Sequence, residues 1–299
     1  MEQPVLVLEN VRKVIQSKEI VKGISLDVRP SEVFGFLGPN GAGKTTTIRM
    51  IVNLIKPTSG SVKICGFDSH KQFEQAMRHV GCIIESPDMY RYMSGMANLE
   101  HFANMNRDIT RKRIDEVVEL VGLTGRIHDK VEEYSTGMCQ RLGLAQAIMN
   151  KPRLLILDEP TNGLDPSGIR EFRDLVRFLA EQEQMGIFVS SHILSEIQLM
   201  CDRVAFIRGG KLLQTGAVKD FIEKEKTVWH VSDVAVAADV LKNRWGLEVE
   251  LDGQHRLSAV LDDDQVADIN QELIRQGAEI YYVYKESRTL EDIFLELTS

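Results

Sequence analysis

Gly38-Pro39-Asn40-Gly41-Ala42-Gly43-Lys44-Thr45 fits the pattern G-x-x-x-x-G-K-[ST], a run built to hold an anion. Its glycines let successive backbone N–H groups converge where a Cβ would block the approach. A short apolar run, Val33–Leu37, precedes it and an apolar-periodic helix over 43–54 follows, so the positive end of a helix dipole points at the same place. In that context Lys44 reaches terminal phosphates and the Thr45 hydroxyl can ligate Mg²⁺.

A second run, Leu154-Leu155-Ile156-Leu157, is unbroken in its apolar character and ends in Asp158-Glu159. Such a run suits a strand buried on both faces of a parallel sheet. The carboxyl end of such a strand is where open α/β sheets bind ligands. Asp158 is then placed to hold the metal through water, and Glu159 to polarise an attacking water. Alone, an acidic pair after a strand reads as a cap or a solvated turn; beside a phosphate loop it reads as chemistry. Tyr134-Ser135-Thr136-Gly137-Met138-Cys139-Gln140-Arg141 opens a helix with a hydroxyl and an unhindered amide, which makes an ordinary N-cap or a second anion site.

Elements that would position these groups follow from the pattern. Two short strands, 5–8 and 23–28, flank a polar turn near Gln16–Lys18. A strand is expected over 61–64 after the turn Lys56-Pro57-Thr58-Ser59-Gly60. A mostly helical stretch runs over about 86–150, with helices at 96–105, 111–121 and 137–149. Strand character returns at 154–157 and 187–190 around a helix at 169–182. A helix at 193–200 and a hairpin of 204–207 with 211–214 complete the pattern. Strands alternating with helices predict an α/β core with a parallel sheet. Beyond about Lys226 the order becomes strand 228–231, helix 234–244, hairpin 247–251 with 256–260, helix 264–276 and strand 279–284. That β-α-β-β-α-β order is the ferredoxin-like arrangement, followed by an amphipathic helix at 290–297. Two domains are therefore expected, residues 1–225 and 226–299, the second an accessory or regulatory α+β unit.

At 299 residues the chain is longer than one average domain, and 43% apolar with 27% charged residues is the composition of a globular protein with a full core. The net charge of −8 argues against a general nucleic-acid binder. Cys65, Cys82, Cys139 and Cys201 form no CxxC pair, so neither a zinc site nor a disulfide framework is expected and a reducing cytoplasm is the natural setting. Cys82 and Cys139 are expected to be buried filler near the site. The segment Met1-Glu2-Gln3-Pro4 with Val5–Leu8 is too short and too lightly basic for a signal peptide. Without a run of about 18 apolar residues, nothing is expected to span a bilayer.

The ordered set GPNGAGKTT, YSTGMCQR, LLILDEP, NGLD and SSH resembles the nucleotide-binding subunits of ABC transporters over residues 5 to about 220. The resemblance implies a P-loop NTPase fold of the ABC type with a helical subdomain, ATP and Mg²⁺ as ligands, and a head-to-tail pair of chains. It assigns Gly38 to Thr46 to the phosphates and puts Ser135 and Gly137 of one copy over the γ-phosphate held by the other copy's Lys44. Asp165 of Asn162-Gly163-Leu164-Asp165 would then contact the opposite copy, and His192 of Ser190-Ser191-His192 would sense the γ-phosphate with Glu159. YSTGM departs from the family's usual LSGGQ at Tyr134, Thr136 and Met138. Two further positions depart: Glu85 stands where the family offers a Gln near the metal, and Ile15 where an aromatic ring stacks on adenine.

Ile83-Ile84-Glu85-Ser86-Pro87, YSTGM and Thr289-Leu290-Glu291-Asp292-Ile293-Phe294-Leu295 resemble the antibiotic and lantibiotic branch, which includes bacitracin-type exporters. What this implies is an ATPase that drives a separate integral membrane permease from the cytoplasmic face of the membrane. The aromatic and Met-rich stretch Pro87–Met93 suits a binding surface for a partner helix, or local packing of the helical subdomain. Two rival readings are a soluble ABC ATPase of translation or repair, which usually carries tandem sites or a long coiled coil, and a non-hydrolysing nucleotide sensor. The intact Lys44, Asp158, Glu159 and His192 speak against the sensor.

Overall fold

The computed structural model describes residues 3–105, 108–222, 225–286 and 289–298. The chain divides into two compact units, Met1–Val218 with Leu297–Ser299, and Lys219–Glu296. Residues 223 and 224, beside the boundary expected at 225/226, lie outside the described residues, as do Met1 and Glu2.

The first unit begins with β1 (Leu6–Ile15) and β2 (Lys18–Val28), an antiparallel hairpin far longer than the two short strands expected. Gln16 and Ser17 close it with positive φ, 46° and 65°, the backbone of a tight two-residue hairpin turn. The strands read as short because their pairing slips between Leu8 and Val11, where Asn10 has φ 47° and faces Gly23. A Cβ at Gly23 would lie 2.6 Å from the Asn10 side chain. This bulge interrupts the two-residue alternation by which a strand is read. With β4 (Ser59–Ile64) and β5 (Phe67–Asp68) the hairpin forms a sheet of order β2-β1-β4-β5 that the sequence pattern did not foretell.

The second sheet holds β3 (Val33–Leu37), β6 (Val80–Ile83), β7 (Leu154–Asp158), β8 (Gly186–Ser191), β9 (Arg203–Arg208) and β10 (Lys211–Ala217). Its order is β10-β9-β3-β8-β7-β6, parallel except for the edge strand β10. Every residue of β3, β7 and β8 is buried, as continuous apolar runs in the middle of a parallel sheet require. Helices α1 (Lys44–Ile51) and α2 (Phe73–Met77) precede the helical stretch, which consists of α3 (Gly95–Ala103), α4 (Arg111–Leu120), a 3₁₀ turn (Val131–Glu133) and α5 (Thr136–Ile148). Helices α6 (Pro166–Gln182) and α7 (Leu194–Met200) follow the central strands, and α8 (Val218–Phe221) is a single turn.

The second unit carries β11 (Lys226–Val231), α9 (Val234–Asp239) continued by a π-helical turn (Val240–Arg244), β12 (Val249–Asp252) and β13 (Arg256–Ala259). It continues with α10 (Asp263–Arg275), β14 (Ile280–Glu286) and α11 (Leu290–Thr298). Its sheet has the order β12-β13-β11-β14, all antiparallel, which is the ferredoxin-like topology. Trp229, Val231, Leu257 and Ala259 on one face pack with Ala237, Leu241, Ile269 and Leu273 of the helices.

Candidate functional site

Parallel pairing decides what meets what. Because β3, β8 and β7 run in the same direction with Leu37 beside Ser191 and Ser190 beside Asp158, their carboxyl ends share one rim of the sheet. The chain leaves that rim at Gly38, at Glu159 and at His192. Gly38 cannot be another residue, since a Cβ there would sit 2.3 Å from the Ile207 carbonyl oxygen. Gly41 (φ 77°) has nothing within 4 Å of a Cβ position, so its backbone faces open space, and Gly43 (φ 108°) brings the chain into α1. The first N–H groups of that helix have no partner within it and point back toward the loop. Pro39 and Asn40 stand exposed on the loop's outer turn, which Ala42 closes by donating to the Pro39 carbonyl at 3.1 Å. Thr45 and Thr46 are half-buried on the first turn of α1.

Lys44 is only 6% exposed. Its ammonium donates to the Gly38 carbonyl at 2.7 Å and the Pro39 carbonyl at 3.3 Å, and lies 3.0 Å from Glu159 Oε1. All three donors of the lysine are thus directed inward. The other oxygen of Glu159, Oε2, is 2.7 Å from His192 Nδ1. Glu159 itself has φ 51°, a conformation that turns its side chain back over the loop, and its backbone N–H donates to Ser190 Oγ and to the Ser190 carbonyl, each at 3.1 Å. Ser190 Oγ in turn donates to Asp158 Oδ1. Asp158 is buried, and its Oδ2 has no hydrogen-bond partner. A buried carboxylate oxygen left unpaired is costly unless a cation or water meets it, so Asp158 fits a hard divalent ion, with the Thr45 hydroxyl as the second expected ligand.

The structure therefore brings together Gly38, Lys44, Asp158, Glu159 and His192 of the expected set, and adds Ser190, which sequence reasoning noted only as part of a motif. Its signal is the register of β7 against β8, which the linear sequence does not display. Glu85 follows β6, whose Ile83 pairs with Leu157 on the same rim, but no bond joins it to the cluster among the described residues. Glu85 (φ 66°) is exposed and pairs with Arg49 at 2.7 Å. Ile15 is exposed at the end of β1, whose partner β2 passes behind the loop: a Cβ at Gly43 would be 3.2 Å from the Ile20 carbonyl.

Ser135 caps α5 by accepting from the Met138 N–H, and Asp165 caps α6 by accepting from the Gly168 N–H. These two helix starts adjoin each other, Gly137 facing Leu164 and Gly163 facing Thr136. Among the described residues no hydrogen bond or ion pair links them to Lys44. Tyr134, the departure from leucine, is buried and its hydroxyl donates to the Arg126 carbonyl, in space that Gly95 leaves free. Cys139 is half-buried, but Cys82 is exposed. The expectation of buried filler at Cys82 is thereby corrected: β6 is an edge strand, and Cys82 alternates outward between buried Gly81 and Ile83.

Comparison with known proteins agrees with this geometry. The family described as ABC transporter matches residues 21–162. The ABC transporter ATP-binding protein YhcH of Bacillus subtilis (strain 168) is 49% identical over 98% of this chain and 96% of its own length. The bacitracin transport ATP-binding protein BcrA of Bacillus licheniformis is 38% identical over 96% of this chain and 95% of its own. Among solved structures, CbiO1 from Clostridium perfringens, part of the ABC transporter complex CbiONQ, superposes with TM-score 0.68 and 26% identity, over 73% of this chain and 90% of that one. The chain belongs to the ATP-binding proteins of ABC transporters, with relatives in the bacitracin-type branch.

Proposed function

We propose that the chain is the ATP-hydrolysing motor of an exporter, working as a head-to-tail pair on a separate integral membrane permease. The observation that carries this reading is the linkage Lys44–Glu159–His192 beside the unpartnered Asp158 Oδ2. Lys44 and the loop Gly38 to Thr46, through the N–H groups not already given to the Ser191 and Pro39 carbonyls, grip the β- and γ-phosphates, and Ile15 covers the purine. Thr45 and Asp158 hold Mg²⁺, which when bound neutralises charge on the phosphate oxygens. Glu159 takes the proton of the attacking water, and His192 keeps the carboxylate aimed at it. Glu85 would help hold Mg²⁺ only if its contact with Arg49 opened.

Pairing is inferred from two clusters, Lys44 with Glu159 and His192, and the adjoining helix starts at Ser135 and Asp165. Among the described residues no hydrogen bond or ion pair joins the second cluster to Lys44 of the same chain, so a second copy supplies the lid for each nucleotide, with Asp165 at the seam. The membrane partner is inferred from two features. No helix among the described residues is long and apolar enough to cross a bilayer. The Pro87–Met93 stretch leaves Tyr90 and Tyr92 exposed over a buried Met89, with Tyr90 packed on His101 at 5.1 Å, a firm aromatic knob for a partner helix. The permease holds the pair at the cytoplasmic face, and similarity to BcrA favours an antibiotic, peptide or other amphiphile as cargo.

Phosphate release by the chain with its permease and Mg²⁺ tests the proposal. Release that depends on Lys44 and rises with cargo is expected; no release, or release unaltered in Lys44→Ala, would overturn it.

A further inference from the structure

Between α6 and α7 lies a cavity of about 230 Å³ in which no residue of the nucleotide cluster takes part. Its walls are mostly apolar, Pro166 and Ile169 from α6 facing Leu199 and Met200 from α7. Met200 is buried, but Leu199 is 66% exposed and leaves an apolar flank at the mouth. The volume is below the range of about 300–1,000 Å³ that takes a drug-sized ligand, so an occupant must be a small molecule.

Two opposite charges border this cavity and do not meet. Glu196, on the first turn of α7, lines it; neither carboxylate oxygen has a hydrogen bond or ion pair among the described residues, and Oε2 is buried. The positive end of α7 offsets part of that cost. It supplies no bonded N–H, and a desolvated carboxylate oxygen without a donor remains expensive. Arg170 of α6 lines the same cavity and has no ion pair among the described residues, whereas its neighbour Arg173 is held by Asp174 at 3.3 Å.

The unmatched charges select the ligand. A simple amine would satisfy Glu196 but would bring a third cation beside Arg170 and Arg173. A simple carboxylate would satisfy Arg170 and repel Glu196. A molecule with both charges and an apolar body meets Glu196, Arg170 and the Ile169–Leu199 walls together.

We propose that this cavity is a second ligand site, taking a free apolar α-amino acid with its ammonium on Glu196 and its carboxylate on Arg170. This goes beyond the nucleotide site and stands without it. Filling the cavity ties α6, which starts at the Asp165 cap, to α7, which starts two residues after His192.

The test is calorimetric titration of the full chain with leucine, repeated with its permease present. Leucinamide lacks the carboxylate, 4-methylpentanoate the ammonium and glycine the apolar body. Leucine is expected to bind with a dissociation constant of about 1 mM or tighter, and each of the other three at least about tenfold more weakly. Glu196→Gln and Arg170→Ala are each expected to weaken leucine at least about tenfold. Neither disturbs a bond seen in the free chain, so ATP binding and the thermal midpoint without leucine stay as in the native chain. An unchanged midpoint tells loss of the site apart from loss of the fold. No heat with leucine, leucinamide binding as tightly as leucine, or variants that bind leucine like the native chain would overturn the proposal. So would leucine excluded once the permease is present, since the cavity then belongs to that interface. ATP binding is measured separately, so failure of the nucleotide reading is told apart from failure of this one.

Discussion

Lys44 Nζ and Glu159 Oε1 are 3.0 Å apart, and the same carboxylate holds His192 through its second oxygen. On the proposed assignment, the cation for phosphate and the base for water therefore restrain each other. The proposed function then makes substrate arrival and release of the base one event, a phosphate at Lys44 competing for the ammonium and freeing Oε1 while His192 keeps Oε2. Lys44→Ala is expected to weaken ATP binding by tenfold or more, as loss of a charged partner costs roughly 1.5–3 kcal/mol. His192→Ala is expected to bind ATP normally yet hydrolyse it about a hundredfold more slowly. Equilibrium nucleotide binding together with phosphate release separates the two effects; a His192→Ala variant that loses binding would contradict the assignment.

Ser190 joins the two acidic roles, donating to Asp158 Oδ1 and accepting from the Glu159 N–H. Its removal leaves a buried carboxylate oxygen without a partner and loosens the turn that sets Glu159 at φ 51°. Ser190→Ala is expected to raise the Mg²⁺ concentration for half-maximal hydrolysis by about 10-fold, and Ser190→Thr to restore it. A metal titration checks this; unchanged Mg²⁺ dependence in Ser190→Ala would show that the hydroxyl serves folding alone.

Ile15 is exposed at the end of β1 and, on the proposed reading, offers an aliphatic surface where a ring would stack on adenine. Ile15→Tyr is expected to tighten ATP binding about fivefold, the equivalent of about 1 kcal/mol of stacking. Binding of inorganic triphosphate should not change. Equal gains for both ligands would place the side chain away from the base.

Arg203 anchors the architecture beneath the site. It opens β9, reaches Glu32 at 3.1 Å and Asp27 at 3.3 Å, and lies over the Phe34 ring at 5.3 Å. One guanidinium thereby ties β2, the turn into β3, and β9. Arg203→Met leaves the nearly buried Glu32 without its counter-charge and is expected to lower stability by about 2–4 kcal/mol. The urea midpoint measures it, and a shift below about 0.5 kcal/mol would count against a structural role for the pair.

How much of this was legible in the sequence depends on the range of the physics involved. The strand Leu154–Asp158 and the loop at Gly38 to Lys44 were readable because burial on both faces and anion binding each leave a continuous local signature. The order of elements in the C-terminal quarter was readable from alternation of period. The β1–β2 hairpin was cut short because the Asn10–Gly23 bulge breaks that alternation. Ser190 had no visible role because its partners come from a neighbouring strand. Glu85 pairs with Arg49, 36 residues away, and nothing in the linear pattern names that contact. Cys82 was misread because a short apolar run does not say whether its strand lies at the centre or the edge of a sheet.

The most direct test is the mass and nucleotide content of Glu159→Gln chains mixed with Mg²⁺ and ATP, measured by light scattering and by extraction of the bound nucleotide. Two chains holding two intact ATP molecules are expected, since the lysine cradle and the serine-capped lid remain while the base is gone. Glu159→Gln chains that turn over ATP at the native rate, or that bind it without associating, would contradict the account at its centre.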